Sequence, residues 1–489
     1  MRWQVLPRKR EARAVLETLR TRTRIIRDLT YLWQEHVMQP SWRSTVLASV
    51  VTATLASGAF AQEAALPGGV RQIPITGPAG WAKTSVNTVI FRYFPIATKG
   101  DTQYAAYYDD NAHVVLATRK LSDTTWQTKV TDLTGNARDA HNTISLAIDG
   151  DGILHLSWDH HGNNLNYVRT VGPDSLELTP RQKMDGIREN ALTYPQFFTL
   201  PDGDLLFFYR VGSSGNGDLV LKRYAHATKT WSTRQQNLIT GEGKANAYPE
   251  FCVGPDGTFH LGWTWRSTPD VATNHNVCYT RSKDGGKTWT DSKGNVVEMP
   301  IKASTGEVAL EIPQKSDLMN QTTIAADAQG RPFIATYFRP KGQTVPQIMI
   351  VYHDGREWRT SQVGTRTGAF SLSGGGTRRI PLSRPLILAD SNGGVGGGEG
   401  MPRVMVIFRD ADRQERVSLA VSSDIASNQW TFTDLTTEAY GYWEPSIDMS
   451  RWQQDHVINL FLQKTDQPAG DNNVSNVPPT PVSILEYKP

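Results

Sequence analysis

Seven times between residue 90 and the C-terminus, an apolar run ends in a turn of Asp, Gly or Asn and restarts as a second apolar run. The second runs are "QYAAYYDD" (from 103), "ILHLSWDHH" (153), "DLLFFYR" (204), "TFHLGWTWR" (258), "PFIATYFR" (332), "RVMVIFRD" (403) and "HVINLFLQ" (456). Most are followed by a third strand, and several units add a Trp-led fourth, as in "WQTKVT", "WSTRQQ", "WRTSQV" and "WTFTDL". Strand pairs at a period near 50 residues are the signature of a repeat architecture. Four antiparallel strands repeated seven times predict an all-β, single-domain, seven-bladed β-propeller. A β-helix or a pair of sandwiches would also supply many strands, but neither has a four-strand period. The last unit runs out after three strands, so "VRQIPI", ahead of residue 90, is expected to provide its outer strand and close the ring.

The composition agrees with short strands joined by tight turns: 41 glycines, 27 prolines and 14 tryptophans in 489 residues. "SKDGGKTW" (282–289) has the Asp-box pattern, in which the Asp and glycines close a turn between strands and the Trp packs below it. Its expected role is structural. Cys252 and Cys278 fall on the first and third strands of one blade, roughly twice the ~4.8 Å strand spacing apart. That exceeds disulfide reach, so two thiols are expected, or one of them as a metal ligand.

The N-terminal region reads differently. "MQPSWRSTVLASVVTATLASGAFAQEA" from Met38 has a basic start, an apolar core and the small-residue site "AFA" before Gln62. Residues 38–61 are expected to be a secretory signal peptide, and no stable membrane span is expected after its cleavage. Residues 1–37 then read as an upstream extension from a mis-called start; a cytoplasmic extension on an uncleaved anchor is the alternative. Residues 62–489 would be the mature propeller, secreted or periplasmic. Residues 1–61 carry +6, against +3 for the whole chain, which leaves −3 on the remainder. No broad basic face is implied, and a nucleic-acid partner is not expected. An anionic ligand would have to be held by local arginines.

Counting outward from the turns locates a rim. In the second unit "DGDG" (149–152) sets residue 148 against 153 and 141 against 160, so His141 faces the pair His160–His161. Alternation puts those two on opposite faces. His161 shares its face with Ser157 and Asp159; His160 is expected to be packed. In the next unit Tyr194 falls opposite Arg210, and in the one after Tyr248 falls opposite Trp265 and Arg266. Loops leaving this rim add Asn164 and His275. His155 and His260, at mid-strand, read as structural.

Histidine, tyrosine and arginine at one rim suit β-elimination from a uronic acid. Arginine pairs with the carboxylate, which acidifies the C5 proton. Histidine and tyrosine serve as base and acid. A glycosidase of the common kind needs two carboxyl groups across the scissile bond; Asp139, Asp159 and Glu250 are present, but no pair stands out. A propeller glycoside hydrolase, rhamnosidase- or sialidase-like, and a non-catalytic carbohydrate-binding propeller remain open as alternatives.

"GNARDAHNTISLAIDGDGILHLSWDHHGNNLNYVR", "YPQFFTLPDGDLLFFYRVGSSGNGDLVL" and "RSTPDVATNHNVCYTRSKDGGKTW" resemble the BNR-repeat polysaccharide lyases, in particular the propeller ulvan lyases. The resemblance implies cleavage of a rhamnose–uronate linkage in an anionic polysaccharide. His141, His161 and Tyr194 would be catalytic and Arg210 would bind the carboxylate, with Tyr248 and Arg266 as competing candidates and Asn164 and His275 as further substrate contacts. No cofactor for catalysis is expected, and the protein is expected to be a monomer. A structural zinc or calcium is a further expectation, with His275, Cys278 and His353 as ligands.

Overall fold

The computed structural model describes residue 66 and residues 68–489, apart from 90, 92, 93, 322 and 392–399. The signal peptide and upstream extension expected over residues 1–61 lie outside the described residues. After β1 (Arg71–Pro74) the chain winds through a first blade of β2 (Ile96–Lys99), β3 (Thr102–Tyr108), β4 (His113–Lys120) and β5 (Gln127–Thr134). The second has three strands, β6 (Ile144–Ile148), β7 (Leu154–Trp158) and β9 (Tyr167–Arg169), with β8 (His161–Asn163) between the last two in sequence. The third holds β10 (Leu192–Thr199), β11 (Leu205–Ser213), β12 (Asn216–Ala225) and β13 (Thr230–Thr240). The fourth holds β14 (Asn246–Val253), β15 (Phe259–Arg266), β16 (Asn274–Ser282) and β17 (Glu307–Leu310). The fifth is β18 (Thr323–Ala326), β19 (Pro332–Phe338), β20 (Gln347–His353) and β21 (Trp358–Gln362). The sixth is β22 (Leu386–Asp390), β23 (Arg403–Arg409), β24 (Val417–Ser422) and β25 (Thr431–Asp434). Helix α1 (Met449–Asp455) then leads into β26 (Ile458–Gln463) and β27 (Val482–Tyr487) of the seventh.

All seven sheets are antiparallel, and each of the seven second strands read from the repeat is present. The ring closes as the repeat count requires. β1 pairs with β27, Ile73 opposite Ile484, and is the outer strand of the last blade. Ile73 and Ile484 pack with Phe461, Tyr107 and Val115, so one apolar cluster spans the seventh and first blades. Neighbouring blades are joined by such clusters because each sheet buries both faces.

The Asp-box acts as a turn lock. Asp284 accepts hydrogen bonds from Ser282, Lys287 and Thr288, and the Trp289 side chain is fully buried. The fourth strand of that blade starts later than the box, at Glu307. Both cysteines are free, Cys252 pairing with His260 on β15 and Cys278 with Trp263 on the same strand. His155 and His260 are buried mid-strand, each bonded through Nδ1 to a tyrosine hydroxyl at 2.7 Å, Tyr167 and Tyr279. No helix among the described residues is long and apolar enough to cross a membrane.

Two local features depart from simple counting, and both shape the rim. Asp149 accepts the N–H groups of Asp151 and Ile153, which lengthens the turn by one residue; Ile148 therefore pairs with Leu154, not residue 153. The second strand also stops at Trp158. Asp159 takes a left-handed conformation (φ 62°) and swings the chain out, so that His161–Asn163 pair with β10 as a fifth strand of the next blade.

Candidate active site

The shifted turn register brings His161, rather than His160, over His141. The two imidazoles stack with centroids 4.2 Å apart and planes at 19°. Asp139 lies beneath both. His141 Nδ1 donates to its Oδ1 and His161 Nδ1 to its Oδ2, each at 2.6 Å, and the His141 backbone N–H donates to Oδ1 at 3.0 Å. Burial works against the Asp139 carboxylate, but the bonds from both imidazoles outweigh it and hold its pKa far below the usual range. Burial pushes the His141 pKa down, against the pull of Asp139. Its ring is sandwiched between His161 and Phe91, the latter at 5.6 Å.

His160 is the packed neighbour. It is fully buried, its Nε2 accepts the Asn166 backbone N–H, and burial lowers its pKa to about 4.

Tyr194 stands beside His141, ring centroids 5.8 Å apart. Its backbone is left-handed (φ 60°) and sits in a register break of β10 between Thr193 and Gln196. A tyrosine in that region is strained. Pro195, which has no N–H to give a ladder, follows it. Tyr248 also precedes a proline, yet β14 keeps its register there, and Tyr248 pairs with Thr264 rather than with Trp265 or Arg266. Of the two Tyr-Pro pairs, only the first breaks the register of its strand. Because of the break, Arg210 pairs with Thr193 and its guanidinium lies over the Tyr194 ring at 5.0 Å.

Both arginines are buried, but only Arg266 lines the cleft. Arg210 is buried, with Nε and Nη1 lacking a hydrogen-bond partner. Arg266 lines the cleft, held by the neutral amide oxygens of Asn274 (2.7 Å) and Asn320 (2.6 Å), and lies 4.7 Å over the Tyr248 ring. Neither forms an ion pair among the described residues. Burial raises the Tyr194 pKa, reinforced by the neighbouring Tyr248. At Tyr248 burial acts in the same sense, but Arg266 and Arg210 together outweigh it and bring the phenol below its ordinary value. The Tyr248 hydroxyl shares a 2.8 Å bond with Ser214.

The cleft is lined by His141, His161, Tyr194, Ser214 and Arg266, among others. Other lining groups come from residues that local sequence did not single out. Arg384 forms a bidentate pair with Glu444 and lies over Phe91 at 5.3 Å. Asp471 accepts the Thr377 N–H and approaches His141 Nδ1 to 3.5 Å. These groups belong to the sixth and seventh blades, far away in sequence. Asp139, two positions before His141 in "RDAHN", is the one partner that was adjacent to a predicted site residue.

Other expected contacts fall elsewhere. Asn164 is exposed and does not line the cleft; its neighbour Asn163 instead braces the loop, accepting the His161 N–H and donating to the Asp159 carbonyl. His275 is half-buried and bonded to the Thr273 carbonyl, away from the cleft. Among the described residues His275, Cys278 and His353 do not converge as a group of metal ligands. A register shift at Asn276 separates the first two along the strand, His275 pairing with Trp265 and Cys278 with Trp263. Cys278 is buried in an apolar cluster, and His353 packs on Trp358 in the next blade. Among the described residues the convergent group of ligand-type side chains is Asp139, His141, His161 and Asp471, with candidate atoms within 4.8 Å of one another.

A family profile described as "BNR repeat-containing family member" matches residues 102–366. The protein described as "Ulvan lyase, long isoform" from Glaciecola sp. (strain KUL10) is 54% identical over 223 residues, which cover 35% of this chain and 22% of that protein. Across such long-isoform relatives the matched part spans only 12% to 22% of their length. Among solved structures, "polysaccharide lyase Uly1" superposes with a TM-score of 0.62 at 17% identity, covering 86% of this chain and 99% of that one. A PL25 ulvan lyase bound to -[GlcA(1-4)Rha3S]- gives 0.61 at 12% identity, covering 85% and 95%. At these identities the likeness to the solved structures is one of fold.

Proposed function

The chain belongs to the BNR repeat-containing family, and from that premise we propose that it is a polysaccharide lyase that cleaves a rhamnose–uronate linkage of the ulvan type by β-elimination. The observation that carries this reading is a pair of guanidinium groups, Arg210 and Arg266, that meet no carboxylate among the described residues while flanking a histidine–tyrosine cluster. A buried cation without a counter-ion is costly. An anionic substrate group supplies the missing partner. The identity to ulvan lyases over part of the chain supports the same choice.

In the reaction, arginine neutralises the C6 carboxylate and so acidifies the C5 proton. We assign Arg210 to this role, with Arg266 and Tyr248 as the neighbouring contacts. An imidazole Nε2 takes the C5 proton. The C5–H electron pair becomes the C4–C5 double bond, the bond from C4 to the glycosidic oxygen breaks, and that oxygen receives a proton from Tyr194. Burial suits the residues to these roles, since it keeps His141 neutral and the Tyr194 phenol protonated. Fixed cations and donors stabilise the anionic transition state. A secreted or periplasmic location, read from residues 38–61, fits a polymer met outside the cytoplasm.

A two-carboxylate hydrolase is less well supported. Asp139 is committed to two imidazoles, Glu444 to Arg384 and Asp471 to Thr377. The test is incubation of the purified full chain with ulvan, with products read by mass spectrometry. A lyase product is one water lighter than the hydrolytic product and absorbs in the ultraviolet through its conjugated double bond. Hydrated ends would support the glycosidase, and no cleavage across several uronate polysaccharides would support a binding module.

A further inference from the structure

The two stacked imidazoles share one carboxylate. Asp139 is only 4% exposed, and each of its oxygens accepts a 2.6 Å bond from a different ring, always at Nδ1. Its Oδ1 also accepts the His141 N–H, an Asx-type turn that locks the carboxylate to the strand start. Both Nδ1 atoms are thereby committed, and neither Nε2 has a protein partner among the described residues, while both rings line the cleft.

We propose that Asp139 is a positioning residue that holds His141 and His161 together as Nδ1–H tautomers, so that both present an Nε2 lone pair to the cleft and act as one proton-handling pair. An ionised carboxylate only accepts hydrogen bonds, so it requires a proton on each Nδ1 it meets. Its strongly lowered pKa keeps it ionised throughout the working range. Stacking at 4.2 Å makes two imidazolium rings mutually repulsive. A second proton on the pair is therefore harder to place than the first. The functional part of this inference rests on the lyase reading; the tautomer assignment does not.

Asp139→Asn separates positioning from mere packing. The amide is isosteric but offers one acceptor and one donor group. One ring keeps its Nδ1–H bond to the amide oxygen. The other faces N–H and must move its proton to Nε2, where it can no longer accept. Two measurements on the full chain decide the matter. In nitrogen NMR of histidine-labelled protein, assigned against His161→Gln, the wild type is expected to show Nδ1–H for both rings, and Asp139→Asn one ring inverted to Nε2–H. In turnover on ulvan, Asp139→Asn is expected to lose about 10²- to 10⁴-fold in kcat, the cost of a wrong tautomer at a catalytic base, with KM changed by no more than about threefold.

Wild-type rings in the Nε2–H form overturn the proposal, as does an Nδ1 bearing no proton, the state a metal ligand would have. A folded Asp139→Asn with wild-type kcat overturns it as well. If that variant fails to fold, the wild-type tautomers decide on their own. If the wild type releases no unsaturated uronate, the lyase reading fails, while the NMR result still upholds or overturns the role of Asp139.

Discussion

At the scale of the residue, adjacent histidines have opposite tasks. His160 is sealed in its blade; His161 is turned out against His141. Replacing His141 or His161 by Ala is expected to cut turnover by about two to four orders of magnitude, followed by ultraviolet absorbance of the unsaturated product. His160→Ala should leave more turnover but lower the melting temperature, because it empties a buried, hydrogen-bonded site. The pH profile belongs here too. Burial lowers the His141 pKa, and a base works only when deprotonated. Activity should hold as pH falls through the ordinary histidine range near 6.5 and decline only below it. A decline beginning above that range would contradict a neutral His141 as base. Arg210 offers a sharper contrast. Its Nε and Nη1 are buried without partners, so Arg210→Met should abolish most turnover and yet raise stability by about 1 kcal/mol or more, read by denaturant titration. A loss of both would mean that Arg210 is structural.

At the scale of the element, turns and strand ends build the site and strand interiors hold it. The bend at Asp159 sends three residues into the neighbouring sheet, and the register break at Tyr194 aims a phenol at the cleft. Both cost backbone strain that the surrounding sheets must hold. The Asp-box is a different kind of element, with Asp284 closing the turn and Trp289 filling the space below. Trp289→Ala is expected to cost about 3–5 kcal/mol of stability. At temperatures where the variant stays folded, its kcat on ulvan should match the wild type. A selective loss of kcat in folded protein would show that the box contributes to the site.

At the scale of the whole molecule, the cleft exists only because the ring is closed. His141 and His161 come from residues 141–161, while Arg384, Glu444 and Asp471 join them from the sixth and seventh blades. β1 fastens the last blade, and through Ile73 and Ile484 to the first. Ile73→Ala should cost about 2–5 kcal/mol. If the ring melts as a unit, tryptophan fluorescence and the far-ultraviolet signal should fall together at a lower temperature. Separate transitions would show that the closing blade opens alone.

Much of this is legible in the amino-acid sequence, for a physical reason. Alternating apolar residues and Asp–Gly turns are local, so all seven second strands and the closing "VRQIPI" strand can be counted along the chain by pattern alone. Turn counting brings His141 to the strand end carrying His160 and His161, and alternation separates those two. It misses by one residue because the side chain of Asp149 lengthens the turn. Tertiary structure alone decided the rest. That His161 leaves its blade depends on pairing with β10, and that Arg210 lies unpaired beneath Tyr194 depends on a register break. The contribution of Arg384, Glu444 and Asp471 to the cleft depends on ring closure across more than 200 residues. Periodicity sets which face of a strand a side chain occupies. What that face meets is set by another blade, whose residues the local pattern does not contain.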